Sequence, residues 1–287
     1  MSRAAQRVAI ISGAGKGLGR AYALELASRG MAIVVNNRRH ATDVEPSAAA
    51  VVREIRDAGG MAVANYGPAE DPETGESLLA LALETFGRLD VVIANAGVSE
   101  AATFVKQDVE SFNRTLTINL QGTAYLLLPS FRHLYAQGSG HVLVSTSAAG
   151  LYGEHGLPAY SAAKAGLIGL MHSLALEGRA HGVFVNAIAP FARTQMTDDT
   201  LSAAGVKGLG PEEVAPIVAE LVAADATISG EVVIAAGGRI ARAAALNSQP
   251  RSCADGEDAR ALLTAALADP LTREYPGAVA MFGDFIK

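Results

Sequence analysis

Tyr160 and Lys164 stand four positions apart in the stretch PAYSAAKAGLIG, residues 158–169. On a helix that spacing is about one turn, so both side chains leave the same face. A phenol beside an ammonium admits two readings. One is a surface pair with no chemistry. The other is a proton carrier. A free tyrosine titrates at about pH 10 and is a poor base at neutral pH. A neighbouring cation stabilises the phenolate and so lowers that value. The phenol can then exchange a proton with a substrate hydroxyl or carbonyl. Ser147 precedes Tyr160 by thirteen positions, just past the apolar run in HVLVSTSAAG. The intervening GLYGEHGLP can loop back and bring the hydroxyl and the phenol together.

These side chains need a scaffold. Short runs rich in Val and Ile recur at Val8–Ile11, Ala32–Val35, Met61–Ala64, Val91–Ala94, Val142–Val144, Val183–Ile188 and Val232–Ile234. Such runs read as strands buried on both faces of a parallel sheet. Helical spacing fills the intervals, as in Ala163, Leu167, Leu170, Met171 and Leu174. The alternation predicts an α/β, doubly wound Rossmann-type fold: a seven-stranded, mostly parallel sheet with helices on both faces. The first run leads into IISGAGKGLGR, where Gly13, Gly17 and Gly19 form G-x-x-x-G-x-G. Glycines there allow a tight turn and close approach of a pyrophosphate to a helix N-terminus. The fourth run ends in Asn95, Ala96 and Gly97, on the side of such a sheet where ligands bind.

Taken together, these motifs resemble the short-chain dehydrogenase/reductase family over residues 6–240. The matching elements are the glycine motif, Asn95–Gly97, Ser147, the Tyr160-x-x-x-Lys164 pair, and NLQGT at 119–123 with Asn119. A narrower likeness joins GLGRAYALELASRG, YSAAKAGLIGLMHSLALEGR and IAPFARTQMT to the dehydrogenase domain of the multifunctional β-oxidation enzyme, which acts on (3R)-hydroxyacyl-CoA and some hydroxysteroids. The resemblance implies an NAD(P)-dependent enzyme interconverting a secondary alcohol and a ketone. It implies that Tyr160 is the acid/base, that Lys164 tunes it and holds the nicotinamide ribose, and that Ser147 steadies the substrate oxygen. Asn119 then fixes a water linking Lys164 to solvent, and Thr194 meets the nicotinamide carboxamide near Pro190. Leu18, with Gly13, Gly17 and Gly19, belongs to the cofactor set. Two segments depart from the family pattern. YGPAED has Gly67 where an adenine-contacting Asp is usual, which passes that contact to Glu70 or Asp71 or loses it, and the last strand reads VIAAGGR. Alternatives are a reductase of a quinone or xenobiotic ketone, and a non-catalytic dinucleotide-binding regulator.

The choice of cofactor turns on VVNNRRH, residues 34–40. NAD users place a carboxylate at the end of the second strand, where it takes the ribose hydroxyls and repels a 2′-phosphate. Here the position is the neutral Asn37, followed by Arg38 and Arg39, with Lys16 in the glycine loop. Guanidinium forks suit phosphate, which favours NADP over NAD.

The remaining features bound the setting. With 287 residues, half of them hydrophobic, the chain can bury a large core. A net charge of −6 without a basic stripe excludes a nucleic-acid partner. The single cysteine, Cys253, excludes an intrachain disulfide, and no Cys/His cluster has zinc spacing. The five-residue apolar run near the start is too short for a signal peptide or membrane span, and FGDFIK is not a peroxisomal tripeptide. The expectation is a cytoplasmic protein acting on a small-molecule alcohol or ketone, with no membrane partner. The apolar outer face of the Tyr160–Glu177 helix, with the family habit, predicts a homodimer or homotetramer. Residues 1–240 form the dehydrogenase domain and 241–287 a partly helical extension, which packs on the core, reaches a neighbouring subunit or moves freely. His155 and Phe191 flank the expected cleft without a firm role.

Overall fold

The computed structural model describes residues 6–39, 43–193, 209–251 and 258–285. The chain divides into two compact units, Met1–Arg242 and Ala243–Lys287. The first holds strands β1 (Val8–Ile11), β2 (Ala32–Asn36), β3 (Met61–Asn65), β4 (Val91–Ala94), β5 (Gly140–Ser145), β6 (Val183–Pro190) and β7 (Val232–Ala236). They pair in parallel, and with β8 (Arg239–Ala243) the sheet order is β3-β2-β1-β4-β5-β6-β7-β8. Every residue of β1, β2, β4 and β5 is buried. At about 1.5–3 kcal/mol for each fully buried Val, Leu or Ile, these strands carry much of the hydrophobic stabilisation.

The eighth strand corrects the expectation of seven, and places residues after 240 in the sheet. Gly237 and Gly238 have φ of 51° and 68°, so they form a two-residue hairpin turn that returns β8 antiparallel to β7. The sequence RIARA has no apolar run because the first four of its residues are exposed. Its strand character comes from the turn and the neighbouring edge.

Helices α1 (Gly17–Ser28), α2 (Ser47–Asp57) and α8 (Ala215–Leu221) pack on one face of the sheet around Tyr22, Leu26, Val51, Ile55 and Val218. On the other face lie α3 (Glu73–Phe86), α4 (Val109–Leu116), α5 (Gly122–Gln137) and α7 (Pro158–Gly178), with the short α6 (Ala148–Tyr152) before α7. Chain order reverses between β1 and β4. Doubly wound sheets open a ligand crevice at that switch point, beyond the carboxyl ends of the strands. The opposite end is closed by a partly buried polar knot: Arg7 bonds Val222 O and the His141 ring, and Asp90 accepts from Val8 N and Arg88. The second unit contains α9 (Ala259–Ala268), α10 (Ala278–Phe285) and an antiparallel bridge between Asn247 and Arg273. Among the described residues no helix is long and apolar enough to cross a membrane.

Candidate active site

The glycine turn between β1 and α1 is shaped for contact that a side chain would forbid. Gly13 and Gly17 take φ of 64° and 52°, in the left-handed region. A Cβ on Gly13 would sit 2.8 Å from Ala96 Cα, and one on Gly19 would sit 2.2 Å from Gly13 O. The N-cap residue of α1, Lys16, makes no side-chain cap bond. The first-turn N–H groups therefore keep their partial positive charge for an external anion. An uncapped twelve-residue helix behind a side-chain-free turn fits a dinucleotide pyrophosphate. Leu18 packs its side chain on the core, leaving its backbone as the part in that first turn. Lys16 is exposed.

The register Ile11↔Ile93 brings the end of β1 level with the end of β4. Ser12 Oγ then accepts from Asn95 N at 3.0 Å and Ala96 N at 3.1 Å. Asn95 Nδ2 donates to the carbonyls of Ser12 and Gly13, each at 3.3 Å, and its Oδ1 accepts from Ser145 Oγ at 3.2 Å. Asn95 thus ties the glycine turn to β5. Sequence reasoning did not single out Ser12. Its signal is a polar residue ending an all-apolar strand directly before the turn.

From β5 the network reaches the basic pair. Lys164 is buried, and its Nζ donates to Ser145 O at 2.7 Å. Thr146 Oγ1 donates to Lys164 O at 2.7 Å, fixing that turn of α7. The ammonium lies 5.5 Å from the centroid of the Tyr160 ring. Burial lowers the Lys164 pKa to about 8. Burial also raises the Tyr160 phenol above its ordinary value, and a hydrogen bond with Ser147 works against that rise. Ser147 is the N-cap of α6, its Oγ accepting from Ala149 N at 3.2 Å. The expected depression of Tyr160 by Lys164 is absent here. The ammonium bonds a backbone carbonyl instead of the phenol oxygen, and desolvation of the phenolate is the larger effect.

Asn119 lies in a π-helical turn, Thr117–Gln121, between α4 and α5. Such turns are rare and frequent at functional sites. Its Nδ2 donates to Val98 O and Thr115 O, both at 2.9 Å, and its Oδ1 accepts from Val98 N at 3.3 Å. A Cβ on Gly97 would lie 2.5 Å from Asn119 Oδ1 and 3.5 Å from Lys164 Nζ. Gly97 is therefore what lets β4, the π-turn and α7 meet.

At the far end of the crevice, Asn37 Nδ2 donates to Ser47 Oγ at 2.9 Å and Arg38 O at 3.2 Å. Both amide hydrogens are used, which leaves Oδ1 as an acceptor. Arg38 pairs with Glu70 at 3.3 Å, and Arg39 is exposed. Gly67 packs against Thr74, where a Cβ would come within 2.5 Å of Oγ1. Pro190 ends β6, and Phe191 follows it half-exposed. His155 is exposed in the loop before α7. Thr194 and Cys253 lie outside the described residues.

Residues 7–204 match the family described as short chain dehydrogenase. The chain is 40% identical over 242 residues to a short-chain type dehydrogenase/reductase of Mycobacterium tuberculosis, covering 83% of this chain and 85% of that one. It is 42% identical over 216 residues to mouse peroxisomal multifunctional enzyme type 2, covering 74% of this chain and 29% of that longer protein. A crystal structure of a short chain dehydrogenase from Mycobacterium avium superposes with a TM-score of 0.81 at 33% identity, over 95% of this chain and 98% of that one. With the glycine turn, the Asn95 tie and the Ser147–Tyr160–Lys164 cluster already in place, these likenesses make the chain a member of the short-chain dehydrogenase family, oxidoreductases acting on hydroxyl and ketone groups.

Proposed function

We propose that the protein interconverts a secondary alcohol and a ketone with a nicotinamide dinucleotide, and that Tyr160 moves the proton. The observation that carries this is the buried Lys164 ammonium held beside the Tyr160 ring, with Ser147 bonded to the phenol. A buried cation bonded to a single backbone carbonyl is costly to stability, and its place beside an acid/base phenol gives it a use. When bound, the dinucleotide supplies or accepts the hydride. Gly13, Gly17, Gly19 and the first turn of α1 would hold its pyrophosphate, Asn37 and Arg38 the adenosine ribose, and Asn95–Gly97, Lys164, Pro190 and Thr194 the nicotinamide half. In the reducing direction Ser147 Oγ donates to the substrate carbonyl and Tyr160 gives its proton to that oxygen. In the oxidising direction Tyr160 takes the proton back. Lys164 keeps a positive charge beside the Tyr160 ring, and Asn119 holds the backbone between Val98 and Thr115.

For the cofactor, the neutral Asn37 with Arg38, Arg39 and Lys16 favours NADP over NAD. For the substrate, the likeness to the multifunctional enzyme supports a 3-hydroxyacyl thioester or a hydroxysteroid. Exposed Phe104, Val105 and Phe191 after the strands' carboxyl ends, with Tyr152 at the end of α6, suit an apolar substrate body. The test is nicotinamide absorbance with 3-oxoacyl thioesters, steroid ketones and small ketones, on the parent and Tyr160→Phe. We expect the Phe variant to bind cofactor with unchanged affinity and to turn over about 10²–10⁴-fold more slowly. Near-parental turnover by that variant would remove Tyr160 from the mechanism. No turnover on any ketone, with cofactor still bound, would favour a binding regulator.

A further inference from the structure

Arg38 and Glu70 follow the carboxyl ends of neighbouring strands, β2 and β3, which are paired through Asn36↔Asn65. The Arg38 guanidinium donates to the Glu70 carboxylate, and the two side chains are 41% and 34% exposed. Their meeting is fixed by the backbone on both sides. Asn37 N donates to Asn65 O at 3.1 Å, and Asn36 Nδ2 donates to Asn65 Oδ1 and Gly67 O, each at 2.9 Å. Asn65 Oδ1 also accepts from Gly67 N, and Asn65 Nδ2 donates to Ser77 Oγ. Beyond Glu70, Asp71 N donates to Pro68 O, Thr74 Oγ1 to the same carbonyl, and Glu73 N to Asp71 Oδ1. Glu70 therefore sits on a loop pinned before and after it, facing the cation that follows β2.

This matters for the one chemical difference between the two dinucleotides. A 2′-phosphate beside Arg38 would bring strong negative charge next to the Glu70 carboxylate, and would have to share a guanidinium already engaged. The ribose hydroxyls of the unphosphorylated dinucleotide carry no such charge, and the free Oδ1 of Asn37 is available to them. An acidic residue is missing from the end of β2, yet one is delivered to the same region from β3. We propose that Glu70 is a specificity-determining residue which, by holding Arg38, sets the ratio of NADP to NAD affinity. The inference rests on the reading of this crevice as a dinucleotide site.

Calorimetric Kd values for NADPH and NADH on the intact protein, Glu70→Gln and Glu70→Lys test it. Loss of the carboxylate should tighten NADPH about five- to tenfold in Glu70→Gln and further in Glu70→Lys, with NADH unchanged within about twofold. An unaltered NADPH to NADH ratio overturns the proposal. So does a parallel change for both dinucleotides, which would make Glu70 a support of the adenine pocket. If the unmodified protein binds neither dinucleotide, the dinucleotide reading falls and this one falls with it. Binding with an unmoved ratio removes only the role of Glu70.

Discussion

At the scale of single residues, Lys164 is the costliest side chain in the site. It is buried, and its pKa is lowered from 10.5 to about 8. Its folded value lies below its unfolded value, so the native state binds fewer protons between the two. Stability must therefore rise as pH climbs from about 8, and it is lost again as pH falls through that value. Above about pH 10 the raised phenol of Tyr160 acts the other way, because the unfolded tyrosine ionises first. The clean window is thus pH 8 to 10, where urea unfolding should show a gain on the order of 1–2 kcal/mol. Lys164→Met should lack this slope while losing activity, and an unchanged slope in that variant would mean that Lys164 is not the group responsible. This cost is invisible in the order of residues. Spacing put Lys164 beside Tyr160, but only packing shows the ammonium turned to Ser145 O, leaving Tyr160 governed by its own burial.

At the scale of elements, three pieces must meet at one point: the end of β4, the π-turn and α7. Gly97 is where they cross. A Cβ there would press on Asn119 Oδ1 at 2.5 Å, and that side chain is bonded to both sides of its surroundings. Moving it would leave the carbonyls of Val98 and Thr115 short of a donor, at about 1–3 kcal/mol for a buried group left unpaired. Gly97→Ala should lower the thermal midpoint by several degrees and kcat at least about tenfold. Parental values for both would show that the crossing has room. Elements built from apolar runs were legible in the sequence because buried parallel strands need such runs: β1 and β4 have the expected limits, and β2, β3, β5, β6 and β7 extend past theirs by one to three residues. What escaped was organised by hydrogen bonds. β8 depends on a Gly-Gly turn and exposes most of its residues. The π-turn carries no propensity mark, and the Asn36–Asn65–Gly67 tie joins residues far apart in the chain. The same is true of Arg38, whose charge was plain but whose partner, Glu70, lies thirty-two positions away.

At the scale of the whole molecule, α7 presents an unbalanced account. Its inner face buries Ala159, Ala163, Lys164, Leu167, Met171 and Ala175 against the first unit. Its outer face carries Ala162, Ala165, Gly169, His172, Ser173 and Leu176, all exposed and mostly small. A helix that is apolar nearly all round is ordinarily covered on both sides, and small residues allow a second helix to approach closely. Leu128 on α5 is also exposed. Members of the family are commonly oligomeric, and symmetric assembly is the usual way for a soluble chain to cover such a face. Gly169 separates this reading from a merely exposed helix. A Cβ added there meets no atom of the described residues within 4 Å, and the position is exposed, so a side chain there leaves the isolated chain toward solvent. Replacing a helix-interior glycine should even favour the helix, by up to about 1 kcal/mol. Gly169→Trp should therefore keep the monomer folded while blocking close helix approach. Light scattering at micromolar concentration should give a dimer or tetramer for the parent and a smaller species for the variant, with matching circular dichroism. A variant that assembles like the parent would move the interface away from α7, and a parent that is monomeric would leave that face bare.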